Sequence, residues 1–157
     1  MIEHKATNGN VEQAVYAQLV HLTQALSAGL AVELRKANLS IAQYNVLQIL
    51  RDAGESGLRC RDIAMSMMPR GPDVTRLLDR LEQRGLVVRA REHRDRRVVR
   101  VHIQPAGIQA LTEMDQPVAD LHRRQLAALG EKRLRELDGL LKYARECVNP
   151  RDAASVS

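Results

Sequence analysis

Seven arginines, Arg84, Arg89, Arg91, Arg94, Arg96, Arg97 and Arg100, crowd seventeen consecutive residues. A guanidinium is always charged and offers its N–H donors as a planar fork that suits phosphate oxygens and base edges. The wider segment 59–100 holds 12 basic and 6 acidic residues, whereas the rest of the chain holds 12 basic and 13 acidic. The whole net excess of +5 therefore sits in the middle of a 157-residue chain. That placement is expected of one face built for a polyanion. The bland alternative is a solvated charged hairpin, and the order of the surrounding elements decides between them.

Other chemistry is thinly represented. Cys60 and Cys147 form neither a disulfide framework nor a zinc ligand set. Cys60 stands between Arg59 and Arg61 at an expected helix start, where a thiolate is stabilised; the competing reading is a small cysteine that packs the helix. His4, His21, His93, His102 and His122 show no spacing that pairs two ligands on one helix face, so no metal is expected. His21 interrupts an aliphatic helix face and reads either as a pocket residue or as a hydrogen-bonded interface residue; His93 and His102 read as hairpin residues. No glycine-rich phosphate loop and no nucleophile motif occurs, so the chain reads as a non-enzyme without a cofactor. With Phe 0, Trp 0 and Tyr 3, it lacks the aromatic platforms that single-stranded RNA readers need.

The elements that position the arginines follow from periodicity. Val11, Val15, Leu19, Leu22, Leu26, Leu30 and Leu34 keep a helical repeat. Within that helix, Gln13 to Val32 is 20 residues without a formal charge. It has spanning length, yet Gln13, Gln18, His21, Thr23, Gln24 and Ser27 make it too polar for lipid. A second chain is the expected cover. Asn38 or Ser40 caps a second helix carrying Ile41, Tyr44, Leu47 and Leu50. Residues 60–67 form a short helix, and a break follows at Pro69, Gly71 and Pro72. Next comes a strong helix with the stripe Val74, Leu77, Leu78 and Leu81, started by Pro72 and Asp73 and stopped by Gly85. Its opposite face presents Asp73, Thr75, Arg76, Asp79, Arg80 and Gln83. Strand-like runs at 86–92 and 97–103 flank His93 to Arg96, and two further helices carry Ile108 to Leu121, with Pro117 as an expected kink, and Leu134 to Ala144.

Short helix, turn, amphipathic helix and arginine-rich hairpin make a winged helix-turn-helix by order and spacing. A helix of this width fits the DNA major groove, while an arginine-bearing loop suits the narrower, more negative minor groove. Thr75 and Arg76 are then expected at base edges and Arg80 at phosphate, with Asp73 steadying Arg76 and Asp79 steadying Arg80. The helix start at Gly71 to Arg76 can also hold a phosphate of the duplex.

The stretch DVTRLLDRLEQRGLVVRAREHRDRRVVRVHIQPAG, residues 73–107, resembles the MarR family of bacterial transcriptional regulators. The resemblance extends from roughly residue 11 to 148. It implies a mainly α fold with a small antiparallel β-wing: residues 38–105 as the winged helix-turn-helix domain, and 11–37 with 106–148 as a helical dimerisation region. Residues 1–10 and 149–157 are expected to be disordered. It makes Asp95 and Arg97 the Asp-x-Arg pair of the wing, with Arg97 the minor-groove residue and Asp95 its orienter; Arg94 and Arg96 add phosphate attraction. Gln104 departs from the family's usual threonine and is a poor N-cap. The resemblance further implies a homodimer on a pseudo-palindromic duplex operator, repression, and release by a small aromatic or phenolic ligand, for which His21 and Tyr44 are the candidate contacts. A reducing, cytoplasmic location is expected, without membrane or RNA partners. Two alternatives remain open: a sequence-indifferent architectural DNA binder, and a redox-sensing regulator working through Cys60.

Overall fold

The computed structural model describes residues 10–67, 73–91 and 97–148. The chain forms two compact units, Met1–Leu121 and His122–Ser157. The expectations placed on residues 1–9, on Pro69, Gly71 and Pro72, on His93, Arg94, Asp95 and Arg96, and on the tail from Asn149 lie outside the described residues.

The first unit begins with α1 (Val11–Leu34), in which Asn10 caps the N-terminus and Leu34 alone is buried. Val11, Val15, Tyr16, Leu19 and Leu22 are exposed, so the N-terminal half of its apolar face is open, whereas Leu30 packs against the core. Among the described residues α1 is also the one helix long and apolar enough, by length and composition, to cross a membrane. A 3₁₀ turn (Arg35–Ala37) follows, and Asn38 takes the left-handed conformation at φ 54°. The amide of Asn38 donates to the Arg35 carbonyl and that of Leu39 to Leu34, both at 3.0 Å, which closes the helix in a Schellman arrangement. Of the two capping candidates, Asn38 thus ends one helix and Ser40 starts the next. Ser40 Oγ accepts from the Gln43 amide while Gln43 returns the bond to the Ser40 amide, a capping box that opens α2 (Ile41–Ala53).

After a 3₁₀ turn (Gly54–Ser56) come β1 (Leu58–Arg59), α3 (Cys60–Ser66), α4 (Val74–Gln83), β2 (Val87–Arg91), β3 (Val99–Ile103) and α5 (Pro105–Leu126). The strands form an antiparallel sheet in the order β1–β3–β2. Arg89 pairs with Val101 in β2–β3, and Leu58 pairs with Val101 across β1–β3. The two-residue β1 was not apparent from periodicity, because two residues cannot show an alternation. The core collects Val46, Leu47 and Leu50 from α2, Ile63 from α3, Leu77, Leu78 and Leu81 from α4, Val87 and Val101 from the sheet, and Leu111 and Met114 from α5. Each such side chain contributes about 1.5–3 kcal/mol by leaving water, so the sheet and the helix-turn-helix share one core.

Pro105 occupies the first position of α5, where its missing N–H costs nothing. Gln104 precedes it and offers its carbonyl to the Ile108 amide at 3.0 Å. The helix continues through Pro117. The second unit contains α6 (Gly130–Val148), none of whose residues is buried and whose Leu140, Leu141 and Tyr143 are exposed.

Candidate nucleic-acid interface

Local chemistry fixes α4 at both ends. Asp73 caps it, its Oδ1 accepting the Thr75 amide at 3.1 Å and the Arg76 amide at 3.4 Å. The carboxylate also complements the positive end of the helix dipole. At the other end Gly85 sits at φ 68°, and the Leu86 amide reaches the Leu81 carbonyl at 3.0 Å. Leu77, Leu78 and Leu81 are buried while Thr75, Arg76 and Arg80 are exposed. One face is therefore locked to the core and the other is presented to solvent.

Arg76 Nε lies 3.4 Å from Asp73 Oδ2, so the cap residue also steadies the arginine, as expected. Asp73, Arg76, Leu77 and Arg80 line a cleft of about 300 Å³ with Ser40 and Ala42 from the start of α2. The structure thus brings three of the four recognition-helix candidates into one cleft. Ser40 was read from the sequence only as a helix cap and Ala42 was not singled out, although the Ser40-x-x-Gln43 box marks the helix start that carries both there.

The partner expected for Asp79 was its neighbour Arg80. The structure instead pairs Asp79 Oδ1 with Arg89 Nη2 at 2.7 Å. Adjacent residues on a helix point about 100° apart and do not face each other, whereas β2 runs beside α4. Arg89 Nη1 also meets Glu82 Oε2 at 2.6 Å, its amide donates to Glu82 Oε1 at 2.9 Å and its Nη2 to the Thr75 carbonyl at 3.3 Å. Burial opposes the charge on Arg89, but hydrogen bonds to Asp79 and Glu82 outweigh it and raise the guanidinium above its ordinary range. The signal available beforehand was a pair of carboxylates, Asp79 and Glu82, at i and i+3 on one side of the helix.

The arginine crowd accordingly divides. Arg84 donates to the Asn38 carbonyl, Arg89 clamps α4, and Arg100 donates to the Gly57 carbonyl at 3.2 Å. These three serve the fold. Arg91 is exposed at the end of β2, and Arg97 is exposed two residues before β3. Of the seven, the sequence assigned Arg94, Arg96 and Arg97 to the wing contacts, and none of Arg84, Arg89 and Arg100 was among them.

The remaining candidates lie elsewhere. His21 is exposed on α1, whereas Tyr44 is buried in α2 and its Oη accepts from Gln48 Nε2 at 2.8 Å. The cavity of about 390 Å³ lined by Arg51, Gly54, Glu55, His102, Ile103 and Ile108 includes neither. Cys60 opens α3, half-buried and packed against the core, which favours its packing role.

A capped helix with one buried and one basic, exposed face, followed by a two-stranded wing on the same core, defines a winged helix-turn-helix protein. The family model for the MarR family matches residues 39–99. A MarR transcription factor from Planctomyces limnophilus, known by crystal structure, is 36% identical, with 86% of this chain and 98% of that one covered and a TM-score of 0.65. A mutant of E. coli MarR crystallised with operator DNA is 27% identical, with 85% and 95% covered and a TM-score of 0.72. BpsR of Bordetella bronchiseptica, whose DNA binding is regulated by 6-hydroxynicotinic acid, is 25% identical, with 83% and 98% covered and a TM-score of 0.70. The chain spans 64% of the length of the first curated transcriptional regulators it matches. The chain belongs to the MarR family, whose matched members are transcriptional regulators and not enzymes.

Proposed function

We propose that the chain is a sequence-specific regulator of transcription that binds double-stranded DNA in the cytoplasm as a homodimer and represses from a pseudo-palindromic operator. The observation that carries this reading is α4, whose Thr75, Arg76 and Arg80 are exposed opposite the buried Leu77, Leu78 and Leu81. In it, residues 38–105 are the DNA-binding domain, and 11–37 with 106–148 join two copies. Thr75 and Arg76 meet base edges, Arg80 meets phosphate, Asp73 steadies Arg76, and the wing residues Arg94, Asp95, Arg96 and Arg97 serve the adjacent minor groove and phosphates. The exposed apolar face of α1, Val11 to Leu22, supports the homodimer, because a second copy would remove it from water.

The operator crystal structure of a relative 27% identical supports duplex DNA as the partner. Regulation of a relative by 6-hydroxynicotinic acid supports a small aromatic or phenolic effector, with His21 and Tyr44 as its candidate contacts. Effector and DNA must then weaken each other's binding by the same factor.

Selection of bound duplexes from a random pool, with sedimentation of the free protein at micromolar concentration, tests the reading. An inverted repeat with half-sites about 10 base pairs apart, bound by a dimer, is expected. Equal affinity for selected and random duplexes at one salt concentration would identify an architectural binder instead. Titrating phenolic acids into the operator complex tests the effector.

A further inference from the structure

We propose that Arg89 is a positioning residue for operator readout: it makes no contact with DNA but locks the wing to the recognition helix, so that the two grooves are read at one fixed separation. The inference rests on the regulator reading above and adds to it a residue with a defined task.

Arg89 belongs to β2, one of the two edge strands of the sheet. Its four bonds reach Thr75, Asp79 and Glu82. Those positions are i, i+4 and i+7 of α4, one stripe about two turns long. The Glu82 carboxylate takes both the Arg89 amide and Nη1, so backbone and side chain of the strand are gripped together. A single exposed ion pair would hold little. Here one planar fork meets two carboxylates and a carbonyl, with its side chain only 25% exposed, and such a multidentate pattern fixes orientation as well as distance.

The clamp also settles an electrostatic conflict. Asp79 and Glu82 lie on the helix that would enter the groove, and each repels phosphate. Arg89 compensates both from the side, leaving Thr75, Arg76 and Arg80 to face outward. Because the wing strands continue from the clamped residue, any tilt of α4 against the sheet would shift the wing relative to the helix by a similar amount. A misplacement of that kind costs specific contacts while leaving general attraction to phosphate intact.

Two variants separate this role from direct phosphate contact. Arg89→Lys keeps the charge but replaces the fork by a point donor. The double variant Asp79→Asn with Glu82→Gln frees Arg89 and makes each protomer more positive by two charges. Binding to the selected operator and to random duplex is measured over a salt series, at a temperature where far-ultraviolet circular dichroism shows each variant folded as wild type. For a positioning role, both variants lose on the order of 10-fold on the operator, and neither loses affinity for random duplex. Arg89→Lys leaves the salt slope unchanged, since no phosphate contact is lost. The proposal is overturned if the double variant binds the operator more tightly, as a freed phosphate ligand would make it do. It is equally overturned if Arg89→Lys matches wild type, or if operator and random affinities fall together. Wild-type preference for the operator is measured first; its absence would overturn the regulator reading itself, and with it this inference.

Discussion

The guanidinium of Arg84 donates from Nη1 to the carbonyl oxygen of Asn38 at 2.7 Å, across 46 residues of chain. Arg84 ends the recognition helix α4, and Asn38 is the left-handed residue that ends the turn leaving α1. The exit from the long first helix is thereby tied to the end of the helix that would read DNA. Arg84→Ala is expected to cost about 1 kcal/mol, the net worth of a solvent-accessible hydrogen bond, and to lower Tm by about 2–4 °C. Thermal unfolding by circular dichroism checks this, and an unchanged Tm would show that the tie carries no stability.

Gly57 illustrates a constraint of a different kind. It sits at φ 56° and ψ −179°, a region that is essentially reserved for glycine. A Cβ there would stand 2.6 Å from His102 Cε1 and 2.7 Å from the Val101 carbonyl oxygen. Backbone strain alone is worth about 1–3 kcal/mol, and the carbonyl belongs to β3, which cannot step aside. Gly57→Ala is expected to lower Tm by more than Arg84→Ala does. Adding His102→Ala should recover only part of the loss, because the strand carbonyl and the backbone angle remain.

How much of this was legible beforehand follows the range of each interaction. Local signals carried α4: the Val74 to Leu81 stripe, Asp73 and Gly85 all agree with the structure, since periodicity, capping and a left-handed stop act within one or two turns. The winged helix-turn-helix order was legible for the same reason. The destination of Asp79 was not, because its partner arrives from β2 and only the folded chain sets Arg89 beside it. The pairing of Leu58 with Val101 is likewise long-range. Gly107, which closes the matching motif, has a physical reason that only the structure supplies: a Cβ there would collide with the Leu86 carbonyl oxygen. His21 and Tyr44 were suggested as pocket residues from their helices, but burial of one and exposure of the other depends on packing that sequence spacing does not encode.

Tyr44 ties stability to alkaline pH. Burial raises its phenol above the ordinary 10.0 and the nearby Asp115 carboxylate adds to the rise, while Arg51 and the Gln48 hydrogen bond oppose it. In the unfolded chain the phenol ionises at its ordinary value. Above that pH the unfolded state therefore binds fewer protons than the folded one, and stability falls as pH rises. The contribution is intact below about pH 10 and is lost as pH climbs through the folded value. Urea unfolding between pH 8 and 11 is expected to show this decline, and Tyr44→Phe should flatten it. Because the Gln48 amide loses its acceptor, Tyr44→Phe should also cost about 0.5–1.5 kcal/mol at pH 8. A decline of equal steepness in the variant would assign it to other groups.

The division of labour between helix and wing is open to a salt experiment, because base contacts and phosphate contacts leave different thermodynamic traces. Arg76 is exposed at the start of α4 with Asp73 3.4 Å away, and its planar fork suits a bidentate contact to guanine. Arg76→Ala is expected to cost about 1–3 kcal/mol on the selected operator and to relax preference at one base pair. Arg97 is exposed beside β3, and as a reader of groove width it should respond to flank composition. Arg97→Ala is therefore expected to weaken binding and to blunt preference for A·T-rich flanks. Arg94→Ala, by contrast, should lower affinity for all duplexes alike and reduce the salt slope by about one unit. All three variants are compared with wild type on the operator, on flank-altered operators and on random DNA across a salt series. Unchanged affinity and flank preference in Arg97→Ala would remove the wing from minor-groove reading, and would leave α4 as the whole source of discrimination.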